Sequence, residues 1–255
     1  MVYIDGDQIS IAIDLDQGAR LVSVQWRDME FVVPFRGQDH TWGWFSMVPF
    51  AGRINNGIIK DRVGKKYQLP TNIDPPHALI GLGYKSSWED IGQGMQILEL
   101  PEPFLGVTVT QKFEVLENAL RWSLNYEGNN CNLPVTLGFH PWIARDVGRG
   151  ESAEIYFQAK KMFKKGEDLI PTGDLIPMVP PPWDDTFTDV FGTPEILWAN
   201  AARMTIDFDS PYFMVYSGDQ EGICFEPVTT PPDSQNLGIE GKSSIECLMT
   251  FHDFD

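Results

Sequence analysis

The sequence predicts an all-β fold, a large antiparallel sandwich or barrel, on three observations. Apolar residues recur at every second position in many short runs, which is typical of strands with one buried face. Turn-forming stretches such as DSP and GDQEG separate these runs, and no long stretch has convincing helical spacing. Many short strands without a sharp internal repeat favour one large sandwich or barrel over an array of repeated modules.

Nine runs carry this alternation. In the first, residues 9–15, three isoleucines and a leucine fall on one face of the predicted strand. In chain order the predicted strands are 9–15, 96–100, 107–115, 120–126, 154–158, 204–208, 212–217, 222–226 and 245–251. The best helical candidate is the short stretch 195–203.

Two proline-rich segments interrupt the pattern. Residues 169–183 contain five prolines, which do not fit central strands, so this segment is predicted to be either a linker or an ordered loop. Its apolar content favours an ordered loop that wraps around the domain. A second proline-rich loop is expected at 227–234, directly after a strand.

Length and charge limit the classes of protein that the sequence fits. A β-rich chain of 255 residues is long enough to bury a large core, so we expect residues 1–255 to form a single domain. The net charge of −17 argues against nucleic-acid binding, which needs clustered Lys and Arg. No apolar run reaches the ~20 residues of a membrane helix, and the acidic N-terminus lacks the basic and apolar regions of a signal peptide. We therefore expect a cytoplasmic protein that binds neither nucleic acid nor membrane.

The cysteines do not suggest a zinc or redox site. Cys131, Cys224 and Cys247 are widely spaced, with no CxxC motif and no paired Cys/His spacing. Cys224 and Cys247 lie in apolar alternating runs, where a buried thiol packs as a small hydrophobic group.

Candidate chemistry is confined to five polar positions at strand ends or in loops marked by proline or glycine. The phosphate-binding, dinucleotide-binding, zinc-protease and serine-hydrolase signatures are absent. Each position alone has an ordinary structural explanation, such as a surface ion pair, a hydrogen-bonded core histidine, a turn aspartate or a solvated glutamate. The five stretches are VPFAGRINNG (48–57) with Arg53, PPHALIGLGYKSSWE (75–89) with His77, TLGFHPWIA (136–144) with His140, PPWDDTFTD (181–189) with Asp184 and Asp185, and GICFEPVTTPPDS (222–234) with Glu226.

In this order the five stretches resemble the aldose 1-epimerase (galactose mutarotase) family. That family has an Arg-Ile element near an Asn-Gly turn, then a histidine before a glycine-containing loop and a Trp-Glu pair. A histidine closely followed by an aromatic residue, an Asp-x-x-Phe element, and a strand ending in Glu-Pro with Pro-Asp soon after complete the set. The resemblance covers about residues 50–235, with Ala78 and Gly52 departing from the family's usual glycine and asparagine. It implies the large antiparallel β-sandwich of galactose mutarotase-like proteins and the interconversion of α and β anomers of a hexose.

The resemblance also implies which residues perform the chemistry. His140 is the expected acid that protonates the ring oxygen, since an ordinary histidine pKa of ~6.5 leaves it readily protonated near neutral pH. Glu226 is the expected base that takes the proton of the anomeric hydroxyl. Because apolar neighbours lower a histidine pKa, a nearby carboxylate is expected to oppose them. Pro141 is expected to end the strand at the cleft.

The remaining residues are expected to bind the sugar. Arg53 and His77 would bind ring and hydroxyl oxygens, and Asp184 would accept hydrogen bonds from hydroxyls, with Asp185 as the alternative. A tryptophan is expected either to form an apolar platform for a sugar face or to pack in the core; the candidates are Trp44, Trp142 and Trp183. No metal or organic cofactor is expected. The expected partner is a small aldohexose, and the protein is expected to be a monomer or homodimer.

Three other functions remain open. A hexose-6-phosphate 1-epimerase on the same fold needs additional Arg or Lys near the site, and Lys60 and Arg62 lie near Arg53 in the sequence. A glycoside hydrolase needs two carboxylates that flank the bond, and it leaves His140 without a role. A non-catalytic carbohydrate-binding domain needs neither His140 nor Glu226. The epimerase hypothesis predicts that His77, His140, Asp184 and Glu226 line one cleft.

Overall fold

The computed structural model describes residues 1–71, 73–128 and 132–254, so Cys131 lies outside the described residues. Strands dominate this part of the chain. They are β1 Val2–Asp5, β2 Ile9–Asp14, β3 Arg20–Trp26, β4 Met29–Glu30, β5 Trp44–Met47, β6 Arg53–Ile54, β7 Ile58–Lys60, β8 Lys66–Gln68, β9 Ala78–Leu79, β10 Glu89–Gly92, β11 Met95–Glu99, β12 Val107–Val115, β13 Ala119–Gly128, β14 Gly138–Ala144, β15 Glu154–Tyr156, β16 Ala159–Lys165, β17 Pro171–Pro177, β18 Asp184–Val190, β19 Glu195–Trp198, β20 Ala202–Phe208, β21 Tyr212–Tyr216, β22 Gly222–Val228 and β23 Ser244–Asp253. The helical elements of the described residues are three single 3-10 turns and one short α-helix, namely Leu15–Gln17, Asn55–Gly57, Gly83–Lys85 and α1 Ser234–Leu237.

Two large antiparallel sheets form the architecture. The larger sheet has the strand order β1-β2-β3-β5-β14-β22-β21-β18-β16-β17, with β4 beside β3. The smaller sheet has the order β10-β11-β12-β13-β23-β20-β19-β15. Two short hairpin-like pairs, β6 with β9 and β7 with β8, lie outside both sheets. The all-β fold class, a large antiparallel β-sandwich of the galactose mutarotase-like type, is confirmed.

The core lies where the two sheets face each other. Phe139 of β14 meets Trp122 of β13 with ring centroids 4.5 Å apart, and Phe31 meets Phe251 of β23 at 4.8 Å. These contacts join residues from both sheets into one buried apolar cluster. Burial of such aromatic side chains is the main favourable contribution to folding, at about 25 cal/mol per Å² of apolar surface removed from water.

All nine runs predicted as strands form strands in the structure, and the run 107–115 matches β12 at both ends. The helical prediction for 195–203 is wrong. That stretch forms β19, a turn and the start of β20, with Trp198 paired to Ala202. Its alternating Ile196 and Trp198 are buried on the sheet face, so the strand period of two outweighs the helix-favouring alanines.

The segment 169–183 is part of the fold, but it is not a loop throughout. Residues 171–177 form β17, an edge strand that pairs with β16 alone. Pro171 and Pro177 stand at the two ends of the strand. Proline is tolerated there because an edge strand needs hydrogen bonds along one side only.

Two expectations about prolines at strand ends are also wrong. Strand β14 continues through Pro141 to Ala144, and β22 continues through Pro227 to Val228. The ladder between β14 and β22 pairs Gly138 with Val228 and resumes at Trp142 with Cys224. Pro141 lies in the interval between these pairs, where it supplies no N–H to β22, while on its other side it stays paired with Trp44 of β5.

No helix in the described residues is long and apolar enough to cross a membrane.

Candidate functional site

The outer face of the larger sheet carries most of the predicted site residues. Alternation along β14 directs Phe139 and Ile143 into the core between the sheets, and His140 and Trp142 to the opposite face. The neighbouring strands β5, β22, β21 and β18 follow the same alternation. Sheet order therefore brings residues that are distant in sequence into one row of adjacent strands.

His140 and Glu226 form a buried pair at the centre of this face. The register of β14 and β22, which pairs Gly138 with Val228 and Trp142 with Cys224, sets His140 opposite Glu226. Nε2 of His140 lies 3.7 Å from Oε1 of Glu226. The two residues are only 9% and 3% exposed. Nδ1 of His140 is buried and has no hydrogen-bond partner among the described residues.

Aromatic rings hold the imidazole of His140 in a fixed orientation. Phe45 of β5, its cross-strand neighbour, stacks on it with centroids 4.7 Å apart and planes inclined by 20°. Trp142 stacks at 5.7 Å and 26°. The guanidinium of Arg36 lies over the Trp142 ring, 4.8 Å from its centroid. The histidine side chain is therefore positioned by packing rather than by hydrogen bonds.

Burial shifts both members of the pair toward their neutral forms. The pKa of His140 is lowered from 6.5 to about 3, mainly by burial and to a smaller extent by the charge of His40. Burial also raises the pKa of Glu226 well above its ordinary value of 4.5; the charge of Asp184 adds to this rise and that of Arg53 opposes it. The apolar surroundings thus have the effect on the histidine that the sequence led us to expect. The carboxylate expected beside it is present, but burial disfavours its ionised form as well.

Arg53 and Asp184 meet at the rim of the site. Nε of Arg53 donates to Oδ2 of Asp74 at 2.6 Å, and Nη1 lies 3.4 Å from Oδ2 of Asp184. Arg53 lies on β6, and the Gly52 before it has φ +66 and abuts Pro232. A Cβ at position 52 would lie 2.6 Å from the Pro232 Cγ, so a glycine fits this turn better than the asparagine that is usual in the family.

His77 lies beside the same rim. Its Nδ1 accepts a hydrogen bond from the backbone N–H of Asn56 at 3.1 Å, so a neutral His77 carries its proton on Nε2. The backbone N–H of His77 donates to the carbonyl of Asp74 at 2.8 Å, which ties it to the partner of Arg53. Asp233 of the Pro-Asp element accepts from the N–H of Asn55 at 3.1 Å. The first, second and last of the five predicted stretches therefore interlock.

Asp184 and Asp185 face opposite sides of β18. Asp184 is paired with Tyr216 and Asp185 with Val215, and Val215 belongs to the core between the sheets. Asp184 thus shares the face of the sheet that carries Glu226. The carboxylate of Asp185 lies 3.1 Å from Nζ of Lys165, which is also 3.8 Å from Oδ2 of Asp184.

The tryptophans predicted as sugar platforms separate into two groups. Trp44 is fully buried, and its indole N–H donates to the carbonyl of Trp142 at 3.0 Å. Trp183 packs against Phe157 and Phe187. These two therefore belong to packed core. Trp142 lies on the face that carries the site, although it is also buried.

Arg36, Arg53 and Lys165 near the site have carboxylate partners. Arg36 contacts Asp219 at 2.8 Å and Glu221 at 3.0 Å, besides the Arg53 and Lys165 contacts given above. Arg20, whose charge also acts on His140, is buried, and its guanidinium donates to the backbone carbonyls of Gln17, Trp42 and Tyr84. This arrangement disfavours the hexose-6-phosphate alternative.

Sequence reasoning missed several residues that shape this region. Asp74, which anchors Arg53, stands before two prolines and shows only a turn signal. His40, whose charge acts on His140, lies in a loop without any motif. Phe45 gave no signal because its whole strand is buried, and Cys224 was interpreted as core alone.

Cys224 adds a third potential metal ligand to the pair. It lies two residues before Glu226 on the same face of β22 and is paired with Trp142 across the strands. One ligand atom each from His140, Cys224 and Glu226 lie within 4.8 Å of one another. All three residues are buried.

Comparisons with known proteins agree with this fold. The family model described as aldose 1-epimerase matches residues 5–242. The chain is 24% identical to the uncharacterized protein YihR of Escherichia coli strain K12, over 88% of this chain and 82% of that protein. It is similar in structure to the GalM/aldose epimerase homologue from C. elegans, with a TM-score of 0.81, 14% identity, and 100% and 99% of the two chains covered. A galactose mutarotase-like protein from Clostridium acetobutylicum is also similar, with a TM-score of 0.78, 14% identity and coverage of 98% and 94%. The match of the family model to residues 5–242 places this chain in the aldose 1-epimerase family.

Proposed function

We propose that this protein is a mutarotase that interconverts the α and β anomers of an aldohexose, with residues 1–255 acting as a single domain. In this proposal His140 is the acid that protonates the ring oxygen, and Glu226 is the base that takes the proton of the anomeric hydroxyl. The observation that carries the proposal is the buried pair of these two residues, 3.7 Å apart on one sheet face.

The geometry of the pair suits the two proton transfers. The ring oxygen and the anomeric oxygen are both bonded to C1 of the sugar, so two groups that lie side by side reach both of them. Breaking the bond between C1 and the ring oxygen then needs one proton delivered and one removed, and the pair supplies both. After the aldehyde rotates, the reverse transfers close the ring on either face of C1.

His140 and Glu226 share a single proton in this proposal, and its location decides whether the pair is ready to open the sugar ring or to close it. In the ion pair, protonated His140 and ionised Glu226 are ready to open the ring. In the neutral pair, His140 and protonated Glu226 are ready to close it. Burial favours the neutral pair in the free site. We propose that hydrogen bonds from a bound sugar narrow the free-energy difference between the two states, because they replace part of the lost solvation.

The rim residues are proposed to orient the sugar. Asp184 shares the sheet face of Glu226, and its carboxylate is more than one third exposed, so it remains available to accept from hydroxyl groups. Nε of Arg53 is bonded to Asp74 and its Nη1 is directed at Asp184, and these two contacts hold the guanidinium in place. His77, with Nδ1 occupied by Asn56, offers its Nε2 proton to a sugar oxygen.

The test is the rate of anomeric equilibration. Pure α-glucose or α-galactose is followed by NMR with and without the protein, and faster equilibration is expected with it. His140→Ala and Glu226→Ala are expected to abolish the acceleration. His252→Ala and Glu246→Gln are matched controls on β23 of the other sheet and are expected to keep it.

Three results would contradict the proposal. Retained sugar binding with no acceleration by the wild-type protein would favour a non-catalytic carbohydrate-binding domain. Cleavage of a glycoside would favour a hydrolase. Acceleration of the anomerisation of a hexose 6-phosphate alone would replace the free hexose by its phosphate as substrate.

A further inference from the structure

We propose that His140, Cys224 and Glu226 form a binding site for a thiophilic divalent cation, with Zn²⁺ as the fitting ion. The cation occupies the position of the proposed acid and base and therefore excludes epimerisation. Metal binding itself does not rest on the proposed function; only its effect on the rate does.

The donor set is suited to zinc. An imidazole nitrogen, a thiolate and a carboxylate oxygen are the three kinds of ligand that bind Zn²⁺ in proteins. Mg²⁺ and Ca²⁺ prefer several oxygen ligands, and this cluster offers only one carboxylate. Binding releases the protons of the Cys224 thiol and of Glu226 to solvent, and the divalent cation neutralises the two negative charges that remain, so the buried complex with neutral imidazole has no net charge.

The spacing of the ligand atoms is close to that of a tetrahedral site. Metal–ligand distances of about 2.0–2.3 Å give tetrahedral edges of about 3.4–3.6 Å. The nitrogen of His140 and the oxygen of Glu226 are already 3.7 Å apart. The sulfur completes a triangle in which no separation exceeds 4.8 Å. Contraction of the longest separation by up to about 1.4 Å, within reach of side-chain rotation, closes the site.

The surroundings predict a reversible site rather than a structural one. Three protein ligands leave a fourth position for water, as in zinc sites that are not closed by the protein. Nδ1 of His140 has no hydrogen-bond partner among the described residues, so the outer partner that normally orients a ligating histidine is missing here. Such a loss weakens metal binding by about 10–100-fold, and EDTA is therefore expected to remove the ion.

Direct binding is the primary test. Tag-free protein is treated with chelator, desalted and titrated with ZnCl₂ in a calorimeter, and one ion per chain is expected. Cys224→Ala is expected to weaken binding by more than about 100-fold, because loss of a ligand exceeds loss of an outer partner. Cys247→Ala is the matched control, since Cys247 is also buried but lies on β23 in the smaller sheet. It is expected to bind as the wild type does.

Cadmium supplies a second readout that is specific for the thiol. CdCl₂ added to the wild type and to Cys247→Ala is expected to produce the ultraviolet charge-transfer band of a cadmium–thiolate bond. Cys224→Ala is expected to lack this band. Circular dichroism establishes that each variant is folded, and Cys224→Ser, which nearly preserves volume, replaces Cys224→Ala if that variant does not fold.

The effect on catalysis is measured separately, each variant against its own metal-free rate. Zn²⁺ is expected to slow anomerisation by the wild type and by Cys247→Ala at least about tenfold, because it occupies both proton-transfer groups. EDTA restores the rate, and MgCl₂ does not change it. Zinc binding that is unaltered in Cys224→Ala, or its absence from folded wild type, would overturn the metal site. Stoichiometric binding to a protein without mutarotase activity would instead leave the metal site standing and overturn the proposed function.

Discussion

Two buried polar clusters lie on opposite faces of the same strand, and they differ in how well their polar atoms are satisfied. On the inner face of β5, Ser46 contacts the buried Gln111, with Oγ and Oε1 2.5 Å apart. On the outer face, Phe45 stacks on His140, which faces Glu226.

The inner cluster is a closed network. Oε1 of Gln111 accepts from Ser46 and from the indole N–H of Trp122 at 3.2 Å. Its Nε2 donates to the carbonyl of Ala19 at 2.8 Å. These bonds join strands of both sheets, so the amide fixes how one sheet sits on the other.

The outer cluster is open. Nδ1 of His140 has no hydrogen-bond partner among the described residues, and burial shifts the pKa of both His140 and Glu226 toward the neutral form. Buried polar groups in folded proteins are normally satisfied, because an unpaired one costs about 1–3 kcal/mol. The satisfied inner cluster therefore contributes to the stability of the fold. The unsatisfied outer pair lowers that stability, and a bound ligand can offset the loss.

The largest expected effect is on the anomerisation rate, which substitutions in the outer pair lower and a substitution in the inner cluster does not. His140→Ala and Glu226→Gln are expected to lower the anomerisation rate by about 10²–10⁴-fold, because each removes a proton-transfer group. Gln111→Ala is expected to keep the wild-type rate per folded molecule. Polarimetry of α-galactose measures all three. An equal loss of rate in Gln111→Ala and His140→Ala would contradict the distinction between a catalytic outer pair and a structural inner cluster.

Stability is expected to show the opposite pattern. Gln111→Ala leaves the Ser46 hydroxyl, the Trp122 indole and the Ala19 carbonyl without their partner in the core. The expected cost is about 1–3 kcal/mol in the free energy of unfolding, measured by urea denaturation. Gln25→Ala, on the exposed side of β3, is the control and is expected to change little. An unchanged free energy in Gln111→Ala would show that water replaces these bonds.

The adjacent residues Asp184 and Asp185 are expected to differ in how much each contributes to sugar binding. Asp184→Asn is expected to raise KM about tenfold, since one hydrogen bond to a charged acceptor contributes about 1.5 kcal/mol. Asp185 lies on the other side of β18, so Asp185→Asn is expected to leave KM near the wild-type value. Initial rates over a range of sugar concentrations give both constants. The reverse order of effects would transfer the binding role to Asp185.

The smallest expected effect is a difference in acid sensitivity. The unfolded chain protonates His140 below its ordinary pKa of 6.5, whereas the folded protein does not until about pH 3. The unfolded state therefore binds more protons in this window, so the contribution of His140 to stability falls as the pH falls. Between pH 6.5 and 5.5, His140→Gln is expected to gain about 1 kcal/mol of stability relative to the wild type. Parallel urea curves at the two pH values measure this, and a gain in the other direction would mean that the folded histidine is protonated.

Alternation in the sequence predicted several strands that have one exposed face, but it missed others, such as β3 and β16. Strands β12 and β13 alternate cleanly, and their positions were predicted within two residues. Strands β5, β14 and β22 are buried on both faces. Burial on both faces weakens the period of two, and alternation predicted neither β5 nor β14, although residues 222–226 of β22 were predicted.

The candidate site lies on these doubly buried strands, which is why sequence pattern alone did not assemble it. Its residues were proposed from the order of five short stretches, and their roles remain predictions. Asp74 and Phe45 could not be predicted, because their significance lies in contacts with Arg53 and His140 across long sequence separations. The neutral state of the pair likewise depends on burial, which spacing in the sequence does not encode.

The most direct test of the central claim is the free energy of unfolding of Glu226→Gln at pH 7. Glutamine has nearly the shape of the protonated carboxyl that burial favours, and it cannot ionise. If the outer pair is a cost to the fold, the variant should be as stable as the wild type or more stable, while the same sample has lost its mutarotase activity. A loss of stability of more than about 1 kcal/mol would contradict the account, because Glu226 would then be a structural partner like Gln111.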